Sequence, residues 1–168
     1  MGSRPHGPRV LARAIMTADV VTLSPSDTLQ EAALRMMTRG ISGAPVVDDE
    51  GRLVGILGES DILRHIKRLA NSELSGRYLS SSAHSLQLLA LLAERGHPAV
   101  KELMDHLRTA LVREAMTEKV VTAPPGATME EVIALMIRSD INRVPIVEKG
   151  KVVGIITRGD IVRMIAKA

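Results

Sequence analysis

Met16-Thr17-Ala18-Asp19-Val20-Val21-Thr22 returns one hundred residues later as Met116-Thr117-Glu118-Lys119-Val120-Val121-Thr122. The register holds through Pro25/Pro125, Thr28/Thr128, Glu31/Glu131, Met36/Met136, Ile41/Ile141 and Pro45/Pro145. One residue is then lost in a turn. The match resumes as Val54-Gly55-Ile56 against Val153-Gly154-Ile155 and closes with Asp61-Ile62 against Asp160-Ile161. A unit of about 50 residues that occurs twice predicts an internal pseudo-two-fold, with paired grooves where the copies meet.

Each copy has the same internal order. Val20-Val21-Thr22 and Val120-Val121-Thr122 are β-branched runs stopped by proline, which predicts a short entry strand. Thr28-x-x-Glu31 and Thr128-x-x-Glu131 are capping boxes that open a helix. Leu29, Ala32, Ala33, Met36 and Met37 then fall at helical spacing, as do Met129, Val132, Ile133, Met136 and Ile137, predicting one buried face per helix. Gly40 and Asp140 mark the exits. Ala44-Pro45-Val46-Val47 and Leu53-Val54-Gly55-Ile56-Leu57 are separated by a polar turn with glycine, which predicts a hairpin. Val144-Pro145-Ile146-Val147 and Val152-Val153-Gly154-Ile155-Ile156 repeat that pattern. A last helix starts near Asp61 or Asp160. The fold class is therefore α+β: two strand–helix–strand–strand–helix units with a helical insert between them.

The chain divides into an N-terminal arm (1–13), a first repeat (14–68), a loop and helical insert (69–112) and a second repeat (113–168). Asn71 to Ser85 reads as a serine-rich loop. Leu86 to Leu92 is apolar almost all round, and a helix of that kind needs cover from its own module or from a second subunit. Pro98 suits a first helical position, with Val100, Leu103, Met104, Leu107 and Leu111 as the following stripe.

Of the 168 residues, 45% are hydrophobic and 24% charged, and the net charge is +3. Those values suit an ordinary globular protein. Tyr78 is the sole aromatic residue, so the core is aliphatic, and the composition argues against single-stranded nucleic acid as a ligand, since such platforms stack bases on aromatic rings. Arg4, Arg9 and Arg13 make a mildly basic arm that reads as solvated. Without cysteine, disulfides and thiolate metal sites are excluded. No segment reads as a signal peptide or membrane span, and the expected compartment is the cytoplasm. His84, His97 and His106 lack ligand spacing, so no metal is expected. No phosphate-cradling loop, dinucleotide fingerprint or nucleophile motif is present, so an enzyme is not expected.

The Met-Thr entries, the hydrophobic-x-Pro-Val-Val segments and the Gly-Ile-x-x-x-x-Asp-Ile endings, in order and twice, resemble the CBS domain. The tandem arrangement resembles a CBS pair, or Bateman module. That resemblance implies a regulatory module that binds an adenosine-containing ligand (AMP, ADP, ATP or S-adenosylmethionine) between the copies, and a flat homodimer that signals to a regulated protein. It implies a main site of Thr17, Val21, Ile41, Ser42 and Gly43 with Ile155, Thr157, Arg158 and Asp160. A second, weaker site would join Thr117, Val121, Ile141, Asn142 and Arg143 to Ile56 and Asp61. The aspartate would accept from both ribose hydroxyls, because a carboxylate offers two acceptor oxygens and no donor. Free N–H groups at the start of the final helix would favour a phosphate.

The second site departs from the pattern. Gly58 stands where the first has Thr157, so a hydroxyl is missing, although Ser60 is near; Arg143 adds a positive charge. Both aspartates also have a plainer reading. Thr157-x-x-Asp160 is a capping box with Asp in place of Glu, and Asp61 in a first helical turn suits the helix dipole. The rival function is a ligand-independent interaction module that uses the apolar insert as its contact surface.

Overall fold

The computed structural model describes residues 9–69 and 94–167. The described elements are α1 (Ala12–Ile15), α2 (Leu29–Arg39), β1 (Gly43–Val47), β2 (Leu53–Gly58), α3 (Glu59–Leu69), α4 (Pro98–Leu107), α5 (Val112–Ala115), α6 (Met129–Arg138), β3 (Arg143–Glu148), β4 (Lys151–Thr157) and α7 (Arg158–Lys167). The loop at 71–85 and the apolar helix at 86–92 lie outside the described residues, as does Arg4. No described helix is long and apolar enough to cross a membrane.

Both capping boxes form. Glu31 N–H donates to Thr28 Oγ1 at 3.1 Å, and Thr28 N–H returns to Glu31 Oε2 at 2.8 Å. Thr128 and Glu131 repeat the exchange at 3.3 and 2.7 Å. Each pair satisfies two N–H groups that a helix start leaves without a partner. Gly40 ends α2 in the left-handed region at φ 63°, and Asp140 adopts φ 49° after α6. Leu29, Ala32 and Met36 are buried along α2, and Val132 and Met136 along α6. Ala33 is exposed, and the last member of each predicted stripe faces outward, with Met37 73% and Ile137 75% exposed. At about 100° per residue, Met37 lies about 80° around the helix from Leu29, whereas Met36 lies within about 20°. Α4 begins with Pro98 as anticipated and buries Val100 and Leu103, while Leu111 lies beyond its end, just before α5.

The hairpins form two two-stranded sheets, β1-β2 and β3-β4. In the second, Val144 pairs with Ile156, Pro145 with Ile155 and Ile146 with Gly154; an irregularity follows before Val147 pairs with Val152. The entry strands shrink to one parallel bridge each, Leu23 with Val46 and Ala123 with Ile146. Proline explains this reduction. Pro45 and Pro145 accept from Leu23 N–H (2.9 Å) and Ala123 N–H (3.2 Å), but have no N–H to extend the ladder.

The chain clusters into two compact units that do not follow the repeat boundaries. One holds residues 1–22, 47–54 and 119–168; the other holds 23–46 and 55–118. Each unit therefore combines the body of one repeat with the entry segment of the other. In the first, Ala12 N–H donates to Ala127 O (2.7 Å) and Met129 N–H to Val10 O (2.9 Å). In the second, Val112 N–H donates to Asp27 O (2.8 Å) and Leu29 N–H to Ala110 O (2.8 Å). Ala12, Val132, Val144, Ile146 and Ile156 are fully buried at the centre of the first unit. Leu23, Leu29, Val46, Leu57, Ile66, Val100 and Val112 play that part in the second.

Deeper in each unit the entry segment crosses a glycine. A Cβ on Gly154 would sit 2.3 Å from Met16 Sδ, and one on Gly55 would sit 2.5 Å from Met116 Sδ and 3.2 Å from the Thr117 carbonyl. Gly154→Ala is expected to destabilise the protein by about 1–3 kcal/mol through overpacking. Met16→Ala should recover part of that loss, because it removes the two nearest atoms but keeps the Met16 Cβ at 3.0 Å. Met116→Ala should likewise rescue Gly55→Ala in part, because the Thr117 carbonyl stays at 3.2 Å. Denaturant unfolding of the singles and doubles checks both.

Candidate functional site

The segment after each Met-Thr entry is held against the closing strand of the other repeat. Thr17 and Ile155 exchange backbone hydrogen bonds of 2.9 and 3.0 Å, and Thr117 and Ile56 exchange two of 2.9 Å. Next to each bridge, a helix start carries the aspartate singled out in the sequence. The loop before each hairpin anchors that helix start from its own side: Asn142 O accepts from Arg158 N–H (2.8 Å), and Ser42 O accepts from Glu59 N–H (3.1 Å).

Asp160 is built by its own neighbours. Its Oδ2 accepts both the N–H and the hydroxyl of Thr157, each at 2.7 Å, and its N–H donates to Thr157 Oγ1 at 3.3 Å. Arg163 donates to Oδ1. Burial pushes this carboxyl up, but the Thr157 hydroxyl, the Thr157 N–H and the Arg163 guanidinium together hold it below the ordinary carboxylate value. Asp160 is thus an anion at neutral pH. The expected free N–H groups need correction: those of Thr157, Arg158 and Asp160 already have acceptors. The capping arrangement is real, and a phosphate would find little of the helix start unoccupied.

Asp61 is held by a different set of donors. Its Oδ2 accepts Gly58 N–H at 2.8 Å, while Oδ1 accepts from Arg64 (2.8 Å) and from the Thr117 hydroxyl (3.1 Å). The hydroxyl lost at Gly58 is therefore supplied by Thr117, fifty-six residues away in the chain, while Ser60 is exposed. A side chain at Gly58 would make only ordinary contacts, the nearest at 3.5 Å to the Ser42 carbonyl.

Of the main predicted set, Thr17, Val21, Ile155, Thr157, Arg158 and Asp160 fall in one unit, while Ile41, Ser42 and Gly43 fall in the other. Of the second set, Thr117, Ile56 and Asp61 share a unit, and Val121, Ile141, Asn142 and Arg143 belong to the first. Arg143 is half-buried, and its Nε donates to Asn142 Oδ1 at 3.2 Å. Arg158 is exposed and lines a groove of about 330 Å³ with Ile133, Met136, Ile137, Asp140 and Ile161. Two residues went unnoticed in the sequence, Arg64 and Arg163, which pair with the two aspartates. Their signal was an Asp-x-x-Arg spacing at matching positions of the two final helices. Among the described residues, no cluster of three or more metal-ligating side chains occurs.

Comparison with known proteins agrees with this architecture. The CBS domain model matches residues 12–68 and 112–167. The chain is 34% identical over 161 residues to the uncharacterized protein MJ1426 of Methanocaldococcus jannaschii, covering 94% of this chain and 92% of that one. It superposes on the CBS domain of a CBS-domain-containing membrane protein from Sphaerobacter thermophilus with TM-score 0.70 and 35% identity, covering 92% and 87% of the two chains. The CBS domain pair of protein MJ0100, solved with 5′-methylthioadenosine and S-adenosyl-L-methionine, shares the fold at TM-score 0.65 and 23% identity, covering 95% and 98%. With both repeats matched and each closing on the other's entry segment, the chain belongs to the CBS domain family as a tandem pair.

Proposed function

We propose that this protein is a regulatory sensor that binds an adenosine-containing ligand, with AMP, ADP, ATP and S-adenosylmethionine as the candidates. Asp160 takes the ribose diol in this reading. The observation that carries it is the state of that carboxylate. It is ionised and its side chain only 12% exposed, yet its Oδ1 is engaged by an arginine that is itself 67% exposed. A carboxylate has about four acceptor directions, and Thr157 uses two of them on Oδ2. A diol that displaces Arg163 would find the remaining two on Oδ1. An exposed ion pair is worth about 0–1 kcal/mol, so that displacement costs little. The adenosyl ligands held by the MJ0100 pair are in keeping with this chemistry. Val21 and Ile155, in the same unit as Asp160, are assigned to the adenosine.

The Asp61 site is the weaker of the two, because Thr117 and Arg64 both occupy Oδ1 and the Thr117 hydroxyl must be given up along with the arginine. Signalling is by population shift: ligand favours one arrangement of the repeats, and a partner reads it. A second copy of the chain is the partner assigned here. The outward-facing Met37, Ile137, Val162 and Ile165 are apolar positions that suit an isologous helical contact.

Asp160→Ala is expected to lower affinity for the adenosyl ligand at least about 10-fold, the weight of charge-assisted hydrogen bonds to two hydroxyls. Isothermal titration checks this, and undiminished binding would overturn the assignment. Arg163→Met removes the competitor, so an uncharged ligand such as adenosine should bind about 2–5-fold more tightly. Ile137→Asp should move the sedimentation coefficient of a dimer towards that of a monomer.

A further inference from the structure

His65 of α3 and His106 of α4 meet in the interior of one unit, with His65 one helical turn beyond Asp61. His65 is 7% exposed. The two rings stack with centroids 5.7 Å apart and planes inclined by 27°. Nε2 of each ring is buried and makes no hydrogen bond. On its other side, His65 Nδ1 faces the Arg68 guanidinium at 3.4 Å, a geometry in which a neutral ring accepts and a charged ring is repelled.

We propose that the His65–His106 pair is a proton-operated latch that holds α4, the described helix of the insert, against α3 of the first repeat. Neutral rings stack as flat, largely apolar bodies. An imidazolium at the same place would sit desolvated beside a guanidinium and against a second ring. Burial pushes His65 down from its ordinary value, and Arg68 on α3 and His106 on α4 push it further; the charge and the backbone carbonyl of Glu114 on α5 pull the other way without reversing the shift. An open state with His65 in water takes up the proton at the ordinary histidine value. The closed latch therefore keeps its full stability above that value and loses it as pH falls through it towards the lowered value of the buried ring. Among the described residues no third metal-ligating side chain joins the pair, so a proton is the ligand it suits.

Backbone hydrogen exchange on the full chain, corrected for the intrinsic effect of pH, compares about pH 7.5 with about pH 5.5. Protection of residues 98–107 should fall at least about 10-fold in acid, while residues 129–138 of the second repeat serve as the control. His65→Leu, which cannot protonate, should abolish the acid response of 98–107. Proton NMR of the wild-type histidine rings needs no variant, and His65 should titrate below the ordinary value. A His65 ring that titrates at or above that value, or acid opening of 98–107 that persists in His65→Leu, would overturn the latch.

Discussion

The structure depends on the backbone exchange between each entry segment and the closing strand of the opposite repeat, Thr17 with Ile155 and Thr117 with Ile56. Two hydrogen bonds per bridge are modest in energy, but they fix where everything else can sit. They bring a methionine sulfur onto a glycine that has no side chain to exclude it. They also bring an entry threonine beside a helix start that carries an aspartate. The compact units that result each contain parts of both repeats. A small α+β layer with one buried helix face lacks enough apolar burial to stand alone, and the exchange lets each repeat complete the other's core.

Around that constraint the two aspartates have been stabilised by different means. Asp160 relies on the threonine three residues before it, and Asp61 on the threonine that arrives with the other repeat's entry segment. Each then pairs with an arginine one helical turn later. The chemical end point is similar, but the consequences for a ligand differ. A hydroxyl within the same turn stays with Asp160 whatever the entry segment does. The hydroxyl on Asp61 arrives with Thr117, so its presence depends on where the entry segment sits. Gly58 does remove a hydroxyl from that helix start, but the tertiary structure returns one from Thr117.

Much of the fold was legible because it is written in local chemistry. Thr28 with Glu31 and Thr128 with Glu131 announce helix starts whose bonds close within four residues, and the glycine-containing turns announce hairpins. The repeat itself carried the CBS resemblance. What could not be read depends on residues far apart in the chain. Nothing in the Val20-Val21-Thr22 run says that the prolines of the next strand will limit it to one bridge. The outward turn of Met37 and Ile137, the role of Thr117 at Asp61 and the stacking of His65 on His106 all require the tertiary arrangement. For the candidate site, the aspartates and threonines were visible as a pattern. The arginines that guard them were overlooked because Asp-x-x-Arg on a helix is usually only a surface ion pair.

The most direct measurement is the affinity of the full chain for AMP beside its 2′-deoxy and 3′-deoxy analogues, by isothermal titration. Diol recognition by Asp160 predicts that removing either hydroxyl weakens binding at least about 10-fold, because the carboxylate is left with an unmatched acceptor direction. Equal affinity for all three, or binding of none of them, would contradict it.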